Sequence, residues 1–591
     1  MDIFSILTLI GGLAFFLYGM NIMGDALVRV SGGKLERILE KLTSNRLAGL
    51  LLGAGITAII QSSSATTVMV VGFVNSGIMK LTQAVGVIMG ANIGTTATSW
   101  ILSLTGISSG NLIVQFMKPS NFSPILAAIG IILIMMKKDD TKKRSIGEIL
   151  LGFAILMFGM HTMSGAVSPL ADNPAFTGLF TAFSNPILGM AIGALLTAII
   201  QSSSASVGIL QALCVTGVVS FGAAIPIIMG QNIGTCVTAI ISSIGANRNA
   251  KRASLIHLYF NLIGTIIFML VFYLLNAFLH FSFLSQAASA VGIAIIHSLF
   301  NICCAIVLFP FGNGLVKLAS LSIPDKKNDL PETPAKPAAL QALDERFLDR
   351  PAFAVNICKN TTLEMAKLSR DAFHLSREVL VSYDAEKAQK VIELEQATDR
   401  FEDALGTYLV KLSGHDLSRH DSRTLSILLH SISNFERIAD HSINLVESAQ
   451  KMQEKGIVLT PDCREDLEAF GRPVSDIIDL TVDVFDSENL DLARSVEPLE
   501  EVIDALSIEM KQRHIERLRG GACSMEAGLL LEDIITNYER VSDHCSNVAV
   551  CLIEVSADEF DTHEYLNLTA RGDDPWFANE YRRLKQAYPL S

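Results

Sequence analysis

The chain lacks acidic residues over two long stretches. No Asp or Glu occurs between residues 41 and 138, and none occurs between residues 173 and 324. A proton-coupled carrier needs a carboxylate or a histidine at its centre. We therefore do not expect proton coupling at a site formed by the polar motifs of these two stretches, which are described below. The nine cysteines also form no C-x-x-C pair and no framework spacing, which is typical of free thiols in a membrane and in the cytosol.

Charge divides the chain into two halves. Residues 1–320 contain long apolar runs with 16 Lys and Arg against 8 Asp and Glu, whereas the remainder has 30 against 51 and helical periodicity. We expect an all-α protein with a polytopic membrane domain at 1–320, a Pro-rich linker at 321–351, a soluble six-helix domain at 352–560 and a tail at 561–591. The first apolar run has no basic leader and no A-x-A site, so we interpret it as a retained transmembrane helix.

The membrane half repeats itself at an offset of 140 residues. TAIIQSSSA at 57–65 returns unchanged at 197–205, and IMGANIGTT at 88–96 returns as IMGQNIGTC at 228–236. The predicted repeats are about 10–105 and 150–245. Five basic residues lie in 25–46, whereas the equivalent stretch 140 residues later has none, and the bias reverses after the second motif. By the positive-inside rule the two repeats are therefore inverted.

The same rule predicts a re-entrant hairpin in each repeat. Two apolar blocks, 47–75 and 83–102, separate a loop expected inside from a loop expected outside (103–123), so one block must turn back. The block at 47–75 has polar QSSSATT at its middle, and its equivalent at 187–216 would enter from the other face, so that both tips meet near the midplane. The remaining predicted crossings are 4–24, 83–102, 124–136, 146–164, 221–243, 253–277 and 287–311. Seven crossings would place the N-terminus outside and the soluble domain in the cytosol.

The polar residues of these motifs are the expected site. They supply hydroxyl and amide groups, which suit Na⁺, and helix N-termini, which suit an anion; the residues alone therefore predict a sodium-coupled carrier of a small oxyanion. The alternative is that serines and small residues let transmembrane helices pack closely. The expected substrate and sodium site consists of Gln61, Ser62, Ser63, Ser64, Thr66, Asn92, Thr95, Thr96, Gln201, Ser202, Ser203, Ser204, Ser206, Asn232 and Thr235.

Two further segments share the pattern H-x-x-F-N. They place His257 and Asn261 on one helix face, and His297 and Asn301 on another. A ligand role is one interpretation, and polar pairing between helices is the favoured one.

These motifs together resemble the type II sodium/phosphate cotransporter family, which includes bacterial members with a soluble tail. The resemblance is carried by the paired QSSSA, the paired NIGT and the two H-x-x-F-N segments, and it covers about residues 10–310. Gln231 and Cys236 depart from the first copy, which has Ala91 and Thr96. The resemblance implies inorganic phosphate as the substrate and Na⁺ as the coupling ion, with the QSSS segments at the site.

The soluble half also repeats. NFERIADHSINLVE at 434–447 returns as NYERVSDHCSNVAV at 537–550, and acidic pairs spaced by four residues precede both. Carboxylates one turn apart on facing helices can hold metal ions, although a solvated acidic face is the alternative. The expected metal ligands are Glu395, Asp399, Glu436, Asp440, Asn444, Glu500, Asp504, Glu539, Asp543 and Asn547.

The repeated E-x-x-x-D-x-x-x-N resembles the PhoU family, soluble bundles linked with control of phosphate uptake. The resemblance covers about 350–560 and implies divalent or iron-type metal ions and a regulatory role. We therefore expect an inner-membrane, alternating-access transporter rather than an enzyme. An anion channel and a membrane-anchored metal-binding phosphate sensor are the alternatives. The expected partners are phosphate, membrane lipid and further copies of the chain, and not nucleic acid.

Overall fold

The computed structural model is built from helices. It describes residues 3–31, 45–106, 119–136, 141–169, 183–214, 216–324, 337–348, 350–557 and 575–590. Throughout those ranges the elements are helices and turns, with one isolated antiparallel bridge between Ser220 and Ala287. The chain divides into two compact units, Met1–Phe353 and Ala354–Ser591, and the expected all-α fold is confirmed.

The first unit contains the membrane helices, and six of those described are long and apolar enough to cross a bilayer. The helices are α1 (Ile3–Ser31), α2 (Arg46–Ile60), α3 (Ser63–Asn75), α4 (Leu81–Ser103), α5 (Pro119–Met136), α6 (Thr141–Val167), α7 (Pro186–Ile200), α8 (Ser203–Cys214), α9 (Phe221–Ser242), α10 (Arg248–Leu279), α11 (Ala290–Leu308) and α12 (Gly312–Ser322). The six long apolar helices are α1, α4, α6, α9, α10 and α11, whereas α5 is shorter.

Helices α1 and α6 are equivalent in the two repeats, and they pack antiparallel. Gly12 approaches Gly159, and Gly19 approaches Gly152. Because Gly12 and Gly152 are equivalent positions, as are Gly19 and Gly159, the contacts are the same when the two helices are exchanged. This local two-fold symmetry is the geometry that an inverted repeat requires, so the predicted inversion is confirmed.

Each predicted hairpin is two short helices joined at a glutamine. In the first hairpin, α2 begins after the Asn45 cap and ends at Gln61, which is left-handed (φ 61°); in the second, α7 begins after Asn185 and ends at Gln201 (φ 57°). The hydroxyl of the following serine, Ser62 or Ser202, then accepts from the backbone N–H three residues on and begins the second helix. The repeated TAIIQSSSA therefore specifies a helix stop, a left-handed residue and a helix start.

The observed helices match the predicted membrane segments within a few residues at most ends. Most of the loop residues compared to infer orientation fall on 32–44, 107–118, 137–140 and 170–182, which lie outside the described residues. The number of crossings and the side of each terminus therefore stay predictions.

The predicted linker contains ordered elements among its described residues. Residues 325–336 lie outside the described part, but Ala338–Gln341 is helical and Glu345–Phe347 forms a 3-10 turn. Phe347 is 1% exposed and packs on Phe73 and Phe353, with ring centroids 5.5 and 5.0 Å apart. The predicted linker thus supplies one aromatic residue to the core of the first unit.

Among its described residues, the second unit has the six long helices that helical periodicity predicted, a four-residue helix at Leu490–Ala493 and a shorter helix at the end. Phe435, Phe470 and Phe485 are fully buried in it. Part of the predicted tail, residues 561–574, lies outside the described residues. The helices are α13 (Pro351–Val381), α14 (Ala385–Ser413), α15 (Arg419–Lys455), α16 (Pro461–Ser487), α17 (Val496–Arg519), α18 (Met525–Ala557) and α19 (Pro575–Ala587).

Candidate functional site

The two hairpin tips line one cavity of about 360 Å³ in the first unit. Eleven residues of the two tips face it, together with residues of α1 and Arg350. The lining residues from the tips are Ile60, Gln61, Ser62, Ser63, Ser64, Ala65, Ile200, Gln201, Ser202, Ser203 and Ser204. Two copies of one motif, 140 residues apart in the sequence, therefore line a common cavity.

Both kinds of helix end meet at this cavity. Helices α3 and α8 begin at Ser63 and Ser203, so their positive N-terminal ends face the space, which favours an anion. Helices α2 and α7 end at Ile60 and Ile200, so their carbonyl ends lie beside the serine hydroxyls and favour a small cation. The arrangement can accommodate an oxyanion and a cation together.

The cavity also contains charged side chains that the sequence motifs did not identify. Asp25 and Asn21 of α1 line it, as does Arg350. The charges of Arg29 and Arg350 act on the Asp25 carboxylate. The cavity lining therefore includes two charged residues outside the QSSS and NIGT motifs from which the site was predicted. The sequence prediction ended the first crossing at residue 24 and so placed Asp25 in the following loop, but helix α1 extends to Ser31 and includes it; no sequence signal placed Arg350.

Seven of the expected site residues lie away from the cavity lining. Most are fixed by hydrogen bonds within their own helices: Asn92 donates to the Ile88 carbonyl (2.9 Å), Thr95 to Ala91 (3.0 Å) and Thr235 to Gln231 (3.0 Å). The others are Thr66, which accepts from Thr57, Thr96, which donates to Ile93, Ser206, which is buried, and Asn232. The structure therefore brings together the QSSS residues and leaves the NIGT residues in the packed helices beside them.

Asn232 belongs to a buried network that joins three helices. Its amide donates to Asn301 Oδ1 (2.8 Å), and its Oδ1 lies 3.3 Å from His297 Nε2. The other ring nitrogen of His297 lies 2.7 Å from Ser99 Oγ. The favoured interpretation, polar pairing between helices, thus describes the His297 segment, and the NIGT motif of the second repeat takes part in that pairing.

The second unit brings acidic residues together in two places. Carboxylate oxygens of Glu395, Asp399 and Asp440 lie within 4.8 Å of one another, as do those of Glu500, Asp504 and Asp543. The two groups are equivalent in the two soluble repeats. We name them the first and the second acidic cluster.

In the second acidic cluster, partial burial and mutual repulsion make Glu500 and Asp504 hard to ionise without a cation. Burial, then Asp504 and the other nearby acids, raises the pKa of Glu500 to about 9, and burial with Glu539 and Asp543 raises that of Asp504 to about 6. Asp504 Oδ1 is buried, and no described residue provides it with a hydrogen-bond partner. An oxygen without a partner in an acidic cluster is the environment that a hard cation would satisfy.

The other expected ligands lie at the margins of the clusters. Burial, then Asp440 and Glu402, raises the pKa of Glu436 to about 7. Burial alone would also raise the pKa of Glu539, but hydrogen bonds from Lys511 and Ser507 lower it. Asn444 and Asn547 are exposed, and the Asn444 amide donates to Asn537 Oδ1 (3.1 Å).

Comparison with known proteins supports the family resemblance of each half of the chain. The family model described as Na⁺/Pi-cotransporter matches residues 15–165 and 155–296, and the PhoU domain model matches 362–449 and 467–552. "Putative inorganic phosphate export protein YjbB" of Escherichia coli strain K12 is 24% identical over 95% of this chain and 100% of its own length. "Sodium-dependent phosphate transport protein 2B" of Homo sapiens is 37% identical over 17% of this chain and 15% of its own.

A solved structure of PhoU from Pseudomonas aeruginosa is 20% identical, with a TM-score of 0.33, and the match covers 34% of this chain and 97% of that one. The sequence relatives named above carry names of transport proteins, and the apolar helices of the first unit are those of a membrane protein. The chain therefore joins a membrane domain of the Na⁺/Pi-cotransporter family to a C-terminal PhoU domain.

Proposed function

We propose that this protein is a sodium-coupled secondary transporter of inorganic phosphate that works by alternating access. The observation that carries the proposal is the cavity lined by both QSSS tips. Inverted repeats that contribute equivalent segments to one site are the architecture on which alternating access rests, because one repeat can move against the other around a fixed site.

Phosphate and Na⁺ bind to different parts of the tips in this mechanism. The N-termini of α3 and α8 provide N–H groups and positive dipole ends for the phosphate oxygens. The carbonyl ends of α2 and α7, with the hydroxyls of Ser62 and Ser202, are oxygen ligands of the kind that Na⁺ accepts. Because opposite charges neutralise each other in a cavity of low dielectric constant, the site favours binding of the two ions together, which couples their movement.

The membrane topology is part of the same proposal. Six long helices alone would leave both termini on one side, so α5 must also cross for the seven crossings that place the N-terminus outside and the PhoU domain in the cytosol. At 18 residues α5 is within the range that can span a bilayer. We assign the protein to the inner membrane, with its second unit facing cytosolic phosphate.

The PhoU domain has a regulatory role in this proposal, with a divalent or iron-type ion at each acidic cluster. Glu395, Asp399 and Asp440 would hold one ion, and Glu500, Asp504 and Asp543 the other. A bound cation would offset the mutual repulsion of the three carboxylates in each cluster.

Transport by the purified full chain in proteoliposomes tests the proposal. We expect uptake of radiolabelled phosphate that requires a sodium gradient, and sodium-dependent counterflow when unlabelled phosphate is inside. Phosphate movement that ignores sodium would contradict coupling and favour an anion channel. No phosphate movement, with phosphate binding retained, would favour a sensor.

Two matched serine variants test the site. Ser63→Ala and Ser203→Ala should each lower phosphate transport about tenfold or more, since each removes a hydrogen-bonding group that meets a charged ligand. Ser282→Ala, at an exposed serine of the same unit, is the control and should transport normally. Normal transport by both tip variants at normal protein levels would remove these serines from the site.

The direction of net transport needs a separate measurement. YjbB is named as an export protein, whereas the human relative is named for sodium-dependent phosphate transport. In vesicles with the orientation of the chain determined, net phosphate flux is measured with sodium imposed on each side in turn. A faster flux with sodium on the side opposite the PhoU domain means uptake, and a faster flux with sodium on the side of the PhoU domain means export.

A further inference from the structure

Arg350 is a cavity residue that neither repeat contributes. It follows the second repeat by more than a hundred residues and lies just before α13, yet it lines the same space as both serine tips. No other Lys or Arg is among the described residues that line the cavity. A site proposed to bind an oxyanion therefore has a single guanidinium beside its helix N-termini.

A short segment, residues 344–348, holds Arg350 in place and is named here the docking segment. Asp344 begins its 3-10 turn by accepting from the Arg346 backbone N–H (3.0 Å). Phe347 packs against α3 at Gly72. A Cβ at that position would lie only 2.7 Å from the Phe347 ring, so the close packing depends on the absence of a side chain there. The Arg350 backbone N–H donates to the Phe347 carbonyl (2.8 Å). The position of the Arg350 backbone is therefore fixed relative to the buried Phe347.

The docking segment is also tied to the end of the first hairpin. Asn75, the last residue of α3, donates to Asp344 Oδ2 (2.7 Å). The same Asn75 accepts from the Asn247 backbone N–H through its Oδ1 (2.8 Å) and from the Asn247 side chain through its carbonyl (2.6 Å). One asparagine thus connects the docking segment, the first hairpin and the start of α10.

We propose that Arg350 binds the phosphate in the transport cavity and selects for it, as a ligand delivered by the docking segment. The inference rests on the proposed function. A guanidinium can bind two oxygens of a tetrahedral oxyanion at once, and helix N-termini complete the contacts from the other side. Asp25, on which the charge of Arg350 acts, balances the guanidinium when the cavity holds no anion.

This placement links phosphate binding to the docking segment. Arg350 is in the cavity only while Phe347 is packed on α3, so bound phosphate stabilises the docked segment. By reciprocity, anything that displaces the segment weakens phosphate binding by the same factor. Because α13 begins directly after Arg350, the segment is the covalent path by which the second unit can act on the cavity.

Charge variants of the full chain in proteoliposomes test the ligand role. Arg350→Gln should raise the phosphate KM about 10- to 100-fold, the loss that follows removal of a hydrogen bond to a charged group, while the sodium concentration for half-maximal transport changes little. Arg350→Lys keeps the positive charge but loses the paired N–H donors of the guanidinium, so its phosphate KM should lie between those of the unaltered chain and Arg350→Gln. Lys251→Gln, which removes one exposed cation of the same unit, should match the unaltered chain. An unchanged or lowered phosphate KM in Arg350→Gln overturns the proposal.

Equilibrium binding separates this inference from the proposed function. Phosphate should raise the unfolding temperature of the detergent-solubilised chain, and Arg350→Gln should lose most of that rise. If the unaltered chain shows no sodium-dependent transport, the proposed function fails, but this binding difference still decides whether Arg350 is a ligand. An equal rise in both chains overturns the ligand role.

A double-variant cycle tests the docking segment. Phe347→Ala should also raise the phosphate KM, because it releases the backbone that positions Arg350. If Phe347 acts through Arg350, the double variant should be no worse than Arg350→Gln alone, so that the two effects are not additive. Fully additive effects on KM would contradict delivery by the docking segment.

Discussion

The first hairpin, α2 and α3, and the second, α7 and α8, have the same backbone and different interiors. In both, the first helix is followed by a glutamine in the left-handed conformation and then by a serine that caps the second helix. Both pack against the next helix through glycine: a Cβ on Gly53 would lie 2.3 Å from the Val87 carbonyl oxygen, and one on the equivalent Gly193 would lie 2.1 Å from that of Ile227. The shared features are those that set the path of the chain.

The interiors differ in how their polar groups are satisfied. In the first hairpin Thr57 donates to Thr66 (2.9 Å), and Gln61 accepts from Thr98 (2.9 Å). The equivalent hydroxyls in the second repeat belong to Thr197, Ser206 and Thr238, and none of the described residues gives these buried groups a hydrogen-bond partner. An unpaired buried hydroxyl costs free energy. The hydroxyls of the second hairpin are therefore available to bind an ion or water, whereas those of the first already bind one another or Gln61.

Filling the helix contacts should give the largest effect and should affect both hairpins equally. Gly53→Ala and Gly193→Ala each place a methyl group against a backbone carbonyl that cannot swing aside, and each should cost about 3 kcal/mol of stability. The measurement is the yield of monodisperse protein and its thermal unfolding midpoint in detergent. Gly55→Ala, two residues along the same helix with nothing within 4 Å of its Cβ, is the control and should be neutral or stabilising. A marked difference between the two glycine variants would break the equivalence of the hairpins.

Removing one hydroxyl from each hairpin should reveal the difference between them. Thr57→Val loses a hydrogen bond and should cost about 1 kcal/mol, whereas Thr197→Val removes an unpaired buried group and should cost nothing in sodium-free buffer. Both residues are fully buried, so the exchange is matched. Thermal unfolding is then repeated with sodium. Loss of the sodium-induced stabilisation in Thr197→Val alone would assign that hydroxyl to the ion, and equal destabilisation of both variants without sodium would contradict the asymmetry.

The two acidic clusters of the second unit are also equivalent groups with different surroundings, and we expect a smaller difference between them, in their affinity for a cation. Glu402 adds negative charge near Asp399 and Asp440 of the first cluster, whereas Lys511 of the equivalent helix donates to Glu539 (2.9 Å) beside the second. We expect the first cluster to bind a divalent cation more tightly. Glu402→Gln should weaken that site about two- to fivefold and Lys511→Gln should strengthen the other, the effect of one partly exposed charge.

Calorimetric titration of the metal-stripped full chain with Mn²⁺ measures both affinities. Asp399→Asn and Asp504→Asn assign each binding step to its cluster, and Glu468→Gln, an exposed acid of α16, is the control. Equal affinities in all three charge variants would show that the flanking charges do not distinguish the clusters.

Much of the fold could be predicted because its signals are local. Apolar runs predict the helices, the duplicated TAIIQSSSA predicts two equivalent breaks, and the basic bias of one loop predicts the inversion seen in the crossing of Gly12 on Gly159. The site was harder to predict, because the residue types of QSSS and NIGT are alike. Asn92 and Thr95 satisfy their polar groups on the preceding turn of α4, and only a three-dimensional arrangement distinguishes a hydroxyl facing its own helix from one facing a cavity.

The sequence by itself determined the two-part organisation, the inverted repeat and the helix breaks at Gln61 and Gln201, since hydrophobic periodicity, charge bias and cap chemistry act over a few neighbouring residues. The tertiary structure alone decided which polar groups share a space. It brought Asp25 of α1 and Arg350 of the docking segment to the serine tips, and it left Thr197 and Ser206 without the partners that Thr57 and Thr66 find in each other. Those outcomes depend on packing between distant segments, which no spacing along the chain records.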